Sequence, residues 1–332
     1  MKASHMNLPP REFVRVSPAE MEAFIATSGR AVGLPQDKAD LLARLLVGND
    51  LRGVFSHGSR LMANYVPLMR DGALNSDPKV HVVRETEQSL LVDGDGGLGY
   101  FAAYEGTRLA IEKATAHGMA VVATRNHGHI GAAGIYARMT LEHDLLGFVT
   151  SGHQLQLEPG QPLTHAAGGS PFAFASPAEE EDSLVLDFGT MHDLYDGDAY
   201  HDDLVRMVPG LVFRHIGMGA ICQSWGGFLA GVPFDPTRAK RRFAGAYQGS
   251  LLVAFRISLF TSPEQFKSEM DAYVRAVHDL KPLPGFQESY LPGGVEAARE
   301  REYGEEGIPI GREHRCALGE MASRLGLAVP WA

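Results

Sequence analysis

The hydrophobic positions of the first third of the chain predict three amphipathic helices. Residues 17–20 place a capping serine before a proline at the first helical position and a glutamate at the third, which marks a helix start. Apolar residues then recur at helical spacing as far as Gly33. A second helix is predicted from Pro35 onward, with leucines along one face, and a third covers the apolar positions of 61–69.

The middle of the chain changes from helical spacing to an alternation of short apolar runs and helical runs. The predicted order is strand 89–93, helix 104–117, strand 119–124, helix 134–143 and strand 145–150. Strands that alternate with helices of this length predict an α/β fold.

The last part of the chain predicts strands at 183–187 and 251–260, and helices at 217–232, 262–281 and 312–325. The helix 217–232 contains five glycines, which indicates tight packing against a neighbour or a ligand. We expect three regions: an N-terminal helical region at 7–88 with part of a substrate site, a central α/β region at 89–250, and a C-terminal strand and helices at 251–332 that pack back on the core.

Composition narrows the class of partner. The 332 residues carry a formal net charge of -10, which argues against a nucleic-acid partner because such binding needs a basic face. An acidic small substrate is still compatible, since a few local arginines outweigh a distant field. Two cysteines, no apolar run of membrane-spanning length and no signal-peptide layout predict a cytoplasmic protein with reduced thiols and no membrane segment.

A glycine-rich segment at 94–99 follows the strand 89–93. Glycines allow backbone amides to approach a phosphate closely, but the spacing G-x-G-G-x-G is not the usual dinucleotide fingerprint. No acidic residue stands at the end of a matching second strand. A tight turn between strand and helix is therefore the stronger interpretation.

Two short segments carry candidate chemistry. Ser56 and His57 lie between two predicted helices, with Arg52 and Arg60 nearby, and offer a proton donor beside a carboxylate clamp. The alternative is a helix-capping Ser-His pair in a surface turn.

The second segment, 125–129, directly follows a strand, where ligands bind in α/β sheets. Its histidines, His127 and His129, suit general acid–base catalysis better than metal binding, because no acid or thiol lies near them in sequence. Capping of the next helix is the alternative for His127. The acidic stretch 193–198 lacks the spacing of a calcium loop and favours a solvated loop, and we predict no metal site.

Together these segments resemble the malate/L-lactate dehydrogenase family, which lies outside the Rossmann superfamily. Residues 51–58 are similar to its R-G-x-x-S-H-G signature, 92–99 to V-D-G-D-x-G-x-G, and 125–134 to R-N-S-N-H-F-G-A-A-G. Near the end, 291–293 and 306–310 match its L-P-G and E-G-I-P-[IL] segments.

The resemblance implies a homodimer with a non-Rossmann nicotinamide-binding fold and a mixed-sheet core. It implies hydride exchange between NAD or NADP and a small 2-oxo, 2-hydroxy or imino carboxylate. His129 aligns with the family's acid–base histidine, and Ser56 and His57 with its substrate-binding pair. The remaining residues implied by the resemblance are Arg60, Arg52 and Tyr65 for the substrate, and Asp187, Gly189, Thr190, His215, Gly217 and Gly219 for the cofactor.

Three departures from the family pattern motivate a rival hypothesis. Arg60 stands three residues after His57, where relatives have an arginine four residues after. The family's A-x-G-K lysine is absent after Asp187, and the stretch 190–215 is short. The K-G-Y-G segment reads His215-Ile216-Gly217-Met218-Gly219. The rival is a cofactor-independent descendant that acts as a lyase, an isomerase or a small-acid binding protein.

Overall fold

The computed structural model describes residues 9–191, 200–284 and 287–331. Its strands are β1 (Phe13–Val16), β2 (His81–Glu85), β3 (Ser89–Asp93), β4 (Met119–His127), β5 (Leu145–His153), β6 (Pro171–Ser176), β7 (Leu184–Gly189), β8 (Gln248–Arg256) and β9 (Ile308–Gly311). Its helices are α1 (Pro18–Arg30), α2 (Gln36–Leu51), α3 (Met62–Arg70), α4 (Gly99–His117), α5 (Gly134–Arg138), α6 (His201–Met207), α7 (Pro209–Cys222), α8 (Pro263–His278), α9 (Gly294–Glu306) and α10 (Arg312–Leu325).

The chain divides into two compact units. The first unit combines the residues up to Pro78 with those from Tyr290 onward, and the second runs from Lys79 to Ser289. This division differs from the three predicted regions. The predicted boundary at 250 falls inside β8, which is hydrogen-bonded on both sides by strands of the central region.

The first unit contains the three helices predicted from the hydrophobic pattern. Met21 and Ile25 of α1 and Leu42 and Leu46 of α2 are fully buried, as the helical spacing requires. β1 pairs antiparallel with β9, which joins the two ends of the chain within this unit. The last predicted helix, 312–325, is confirmed with the same bounds as α10.

The second unit is built on a mixed seven-stranded sheet in the order β2-β3-β4-β8-β5-β6-β7. Only β3 and β4 pair in parallel, and every other neighbour is antiparallel. The sheet is therefore not a doubly wound parallel sheet, and the predicted α/β fold with a mixed, non-Rossmann core is confirmed.

Several predicted bounds were wrong in this unit. The helix predicted at 104–117 begins at Gly99, and the helix predicted at 217–232 is α7, which ends at Cys222 and continues as a π-helical turn, Gln223–Phe228. Glycine allows that turn to pack on β5, because a Cβ at Gly226 would lie 2.4 Å from the backbone carbon of Ser151. β2 gave no signal because every residue in it is exposed.

No single helix among the described residues is long and apolar enough to cross a bilayer, although the bent pair His201–Met207 and Pro209–Phe228 passes by length and composition together.

Candidate active site

The glycine-rich segment 94–99 holds the histidine loop, residues 125–129, which comprises the end of β4 and the two residues after it. Four backbone hydrogen bonds join the two segments: Gly94 N to Arg125 O (2.9 Å), Gly96 N to Asn126 O (2.9 Å), Gly99 N to His129 O (3.0 Å) and Gly128 N to Gly97 O (2.8 Å). These glycine amides are therefore bound to protein carbonyls. The interpretation of 94–99 as a tight turn is confirmed, and its role is to fix the position of the loop.

The close approach of these segments requires glycine at two positions. A Cβ at Gly94 would lie 2.8 Å from the Cβ of His127, and a Cβ at Gly99 would lie 2.4 Å from the carbonyl oxygen of Gly128. Both distances are well below van der Waals contact, so any side chain at either position would push the histidine loop away.

Asp93, at the end of β3, fixes the start of the same loop. Its carboxylate accepts hydrogen bonds from Asn126 Nδ2 (2.7 Å), Arg125 Nε (3.2 Å) and the backbone N of Asp95 (3.0 Å). Asn126 has a φ of 54°, a left-handed conformation that asparagine tolerates better than most residues. The two side-chain bonds stabilise this conformation, which redirects the chain after Arg125.

His127 is a buried structural histidine. Its Nδ1 lies 2.7 Å from the Gly128 carbonyl, which only accepts, so Nδ1 carries the proton. Its Nε2 then accepts from the Thr124 hydroxyl at 2.7 Å, and that hydroxyl lies 2.5 Å from Ser250 Oγ. Burial lowers the pKa of His127 to about 4. The imidazole is therefore neutral near pH 7, and both of its nitrogens are engaged.

His129 is the other imidazole of the loop and is only half-buried. Its backbone carbonyl accepts from Gly99 N, so the start of α4 fixes the residue that carries the ring. A half-buried imidazole on a rigid loop is what a general acid that meets a substrate needs. Of the two predicted histidines, His129 is the more exposed.

The first unit carries the Ser56-His57 pair. The two residues lie on a 3-10 turn, Phe55–His57, with Ser56 Oγ 3.0 Å from His57 Nδ1. Asn49 Nδ2 donates to the carbonyl of His57 at 2.9 Å. Burial lowers the pKa of His57, so its ring is neutral near pH 7 and suits hydrogen bonding better than charge pairing.

A buried polar cluster that the sequence analysis missed lies directly behind this turn. Asp50 Oδ2 accepts from Ser59 N at 2.9 Å, and Ser59 Oγ lies 2.9 Å from His314 Nε2. The other carboxylate oxygen, Oδ1, is buried with no hydrogen-bond partner. Burial raises the pKa of Asp50 to about 7 and lowers that of His314 to about 4. A Cβ at Gly58 would lie 1.8 Å from Asp50 Oδ1, so the S-H-G glycine is required by this carboxylate.

The predicted substrate arginines differ in availability. Arg52 pairs with Glu300 at 2.6 Å and bonds the Gly48 carbonyl at 3.1 Å, so its guanidinium is already engaged inside the unit. Arg60 is exposed and lies 3.8 Å from Glu313, a long contact between exposed groups. Tyr65 is buried in the core of the unit. Arg60 is therefore the predicted substrate residue whose charge is most accessible.

The predicted cofactor residues at the end of β7 are bound within the second unit. Asp187 Oδ2 accepts from Gly134 N at 2.8 Å, where it caps α5. Thr190 is buried, and both its backbone N and its Oγ1 donate to the Ser170 carbonyl at 3.1 Å. Gly189 pairs with Pro171 in the sheet. The side chains of Asp187 and Thr190 are thus engaged by the protein.

The other predicted cofactor residues lie on α7. His215 Nδ1 bonds its own helix at the Leu211 carbonyl, 3.0 Å away, and its ring contacts Phe188 edge-on, with 6.5 Å between centroids. A Cβ at Gly217 would meet open space, whereas one at Gly219 would lie 2.5 Å from the Ala167 Cβ. The backbone at Gly217 is therefore open on one side of α7, but Gly217 and His215 are two residues apart on the helix and face different directions. The six residues predicted to bind a nicotinamide cofactor therefore fit that role in part: the backbone at Gly217 is open, whereas the side chains of Asp187 and Thr190 are bound within the protein.

A polar pocket that the sequence analysis also missed lies in the second unit. A pocket of about 400 Å³ is lined by Asp93, Arg125 and Asn126 together with residues from 231 to 248. The run of basic residues at 238–242 was its signal in the sequence. No group of three or more potential metal ligands occurs within the described ranges, and the acidic stretch 193–198 lies outside them.

Comparison with known proteins gives this geometry its context. A profile of the malate/L-lactate dehydrogenase family matches residues 16–192 and 206–318. Malate dehydrogenase from Pyrococcus abyssi is 27% identical over 348 residues, covering 95% of this chain and 96% of that protein. L-sulfolactate dehydrogenase from Methanocaldococcus jannaschii is 25% identical, covering 95% and 98%. The solved structure of malate dehydrogenase from Pyrococcus horikoshii OT3 matches with a TM-score of 0.82 and 25% identity, covering 97% and 98%.

The fold and these matches define the class as an oxidoreductase of the dehydrogenase type. The chain belongs to the malate/L-lactate dehydrogenase family, and its dehydrogenase relatives imply a nicotinamide cofactor.

Proposed function

We propose that the protein transfers hydride between NAD or NADP and a small 2-oxo, 2-hydroxy or imino carboxylate, with His129 as its acid–base residue. The observation that carries this proposal is the loop after β4. Hydrogen bonds to the glycine-rich turn fix the loop, and Asp93 fixes its start. His129 is half-buried, whereas both ring nitrogens of His127 are hydrogen-bonded within the protein. Membership of a dehydrogenase family supports the hydride-transfer part of the proposal.

The proposed reaction consists of a hydride transfer and a proton transfer. When bound, the nicotinamide supplies or accepts the hydride. Hydride arriving at a carbonyl carbon leaves negative charge on the oxygen, and the imidazolium of His129 donates the proton that neutralises it. In the opposite direction neutral His129 accepts the hydroxyl proton, so the same residue serves both directions.

We propose that the Ser56-His57 pair and Arg60 bind the substrate. His57 is neutral near pH 7, so it and Ser56 provide hydrogen bonds, while Arg60 supplies the positive charge for the carboxylate. Because Arg52 is held by Glu300, its contribution is indirect: it anchors the end of α2 from which the S-H-G turn continues.

We further propose a cytoplasmic homodimer, whose interface includes an apolar face on α6, α7 and the π-helical turn. Met207, Phe213 and Leu229 are 79%, 67% and 65% exposed, and Leu211, Trp225 and Phe228 on the same consecutive elements are also exposed. Exposed large apolar side chains in such number are typical of an oligomer interface. Sedimentation of the wild type as a dimer and of Phe213→Glu as a monomer is the expected result; a wild-type monomer refutes the proposal.

The rival function, a cofactor-independent descendant, rests on Asp187 and Thr190, whose side chains are engaged by Gly134 and Ser170. The experiment that separates the two mixes purified protein with NADH and with NADPH and records nucleotide fluorescence and the melting temperature. The dehydrogenase proposal predicts a rise in melting temperature with at least one nucleotide. If neither nucleotide has any effect while a 2-oxo acid still binds, the rival is supported.

A further inference from the structure

The basic pocket of the second unit has a place in the fold that suits a ligand. Its volume is about 400 Å³, within the usual range for small-molecule sites. It lies where β4 ends and β8 begins, and Asp93 and Asn126, which shape the start of the histidine loop, form one side of it. None of the six predicted cofactor residues lines it.

The charges that line the pocket are unbalanced. Four cationic side chains, Arg125, Arg238, Lys240 and Arg241, line it with a single carboxylate, Asp93. Asp93 is already paired with Arg125 at 3.2 Å, and within the described part of the chain neither Arg238 nor Lys240 forms an ion pair with a carboxylate.

The carboxylate of Asp235, next to this segment, does not line the pocket, although it interacts electrostatically with Arg238 and offsets part of that charge. It is bound by Thr237, whose backbone N and Oγ1 donate to it at 2.9 and 2.7 Å. The whole chain has a net charge of -10, whereas the side chains around this cavity carry a net positive charge. Like charges repel one another, and an anion between them removes that cost.

The remaining walls of the pocket suit an organic group. Val232, Pro233 and Ala246 are apolar, and the Tyr247 ring lies 6.0 Å from the guanidinium carbon of Arg241. Arg241 also donates to the Gln154 side chain, which in turn donates to the Pro233 carbonyl at 3.1 Å. These contacts hold one guanidinium in place at the wall before any ligand arrives.

We propose that this pocket binds a small molecule that carries a phosphate or pyrophosphate group. Arginine forks match phosphate oxygens in pairs, and a group with two or more negative charges balances the cation surplus better than a single carboxylate does. The phosphate belongs either to a nucleotide or to a separate phosphorylated metabolite. The proposal stands apart from the dehydrogenase activity, because the pocket is defined by its own charges and walls.

The test is titration calorimetry of the whole protein with pyrophosphate at low ionic strength. The pocket variant is Arg238→Gln/Lys240→Gln. The control is Arg214→Gln/Arg242→Gln, which removes the same charge from exposed arginines that do not line the pocket. Wild-type protein is expected to bind pyrophosphate, with an affinity that falls as salt is added. The pocket variant is expected to lose about tenfold or more in affinity, and the control less than about threefold.

Absence of pyrophosphate binding to the wild type, or equal losses in the two double variants, overturns the proposal. Two further titrations identify the source of the phosphate. If the pocket variant also loses affinity for NADH or NADPH, the phosphate is that of the nucleotide. If pyrophosphate still binds to protein saturated with nucleotide, the ligand is a separate molecule. Either result supports the proposal that the pocket binds a phosphate group, and neither titration requires the enzyme to turn over substrate.

Discussion

Replacing Asp50 by asparagine is expected to change how stability depends on pH. Asp50 is completely buried in the first unit, with Oδ2 bonded to Ser59 N and Oδ1 without a partner. Its pKa is raised from 3.8 to about 7 because burial penalises the charged carboxylate. Asparagine keeps the shape and still accepts from Ser59, but it cannot ionise.

The sign follows from the two pKa values. The folded pKa lies above the unfolded one, so the stabilising contribution of protonated Asp50 is complete below pH 3.8 and is lost as pH rises through about 7. A shift of about three pKa units corresponds to a loss of about 4 kcal/mol as an upper value. Relative to wild type, Asp50→Asn should therefore gain up to about 4 kcal/mol between pH 4 and pH 8.

The assay is urea unfolding of both proteins at several pH values, followed by a signal from the first unit. The pKa values of His127 and His314 are lowered to about 4, so the stability that these two residues contribute is lost as pH falls below 6.5. Because this trend is opposite to that of Asp50 and is present in both proteins, the quantity to compare is the difference between the variant and wild type. Asp71→Asn, on an exposed carboxylate, is the matched control and should show no such trend. A stability difference between Asp50→Asn and wild type that stays constant from pH 4 to pH 8 would refute the reasoning.

Three further substitutions probe the same geometry. Gly99→Ala should displace the histidine loop, because its Cβ would lie 2.4 Å from the Gly128 carbonyl; a melting temperature equal to wild type would contradict this. His127→Gln should lessen the loss of stability on acidification from pH 6.5 to pH 4 by about 3 kcal/mol, measured by urea unfolding. Arg60→Gln should raise KM for a 2-oxo acid about tenfold or more with a smaller effect on kcat, and an unchanged KM would remove Arg60 from the substrate site.

The sequence was sufficient for features that depend on local patterns. The helices α1, α2 and α3 followed from apolar spacing, and α10 was predicted with its exact bounds, whereas α9 of the same unit was not predicted. The turn at 94–99 also came from a short stretch of chain, whereas the preference for His129 over His127 came from the resemblance to the family.

Features that depend on distant residues were out of reach. Ser59 and His314 are separated by 255 positions, and no spacing rule relates them. The start of α4 was placed too late because Gly99 resembles a loop residue; its reason for being glycine, the Gly128 carbonyl, is visible only once the two segments meet. The basic run 238–242 was visible in the sequence, but the cavity beside it depends on the pairing of β4 with β8.

The central claim is that His129 transfers the proton, and single-turnover reduction of a 2-oxo acid by NADH or NADPH tests it most directly. His129→Gln should bind nucleotide as wild type does but reduce the acid about 10²–10⁴ times more slowly. The control, His117→Gln at the exposed end of α4, should match wild type. A His129→Gln protein that keeps the wild-type rate would contradict the account.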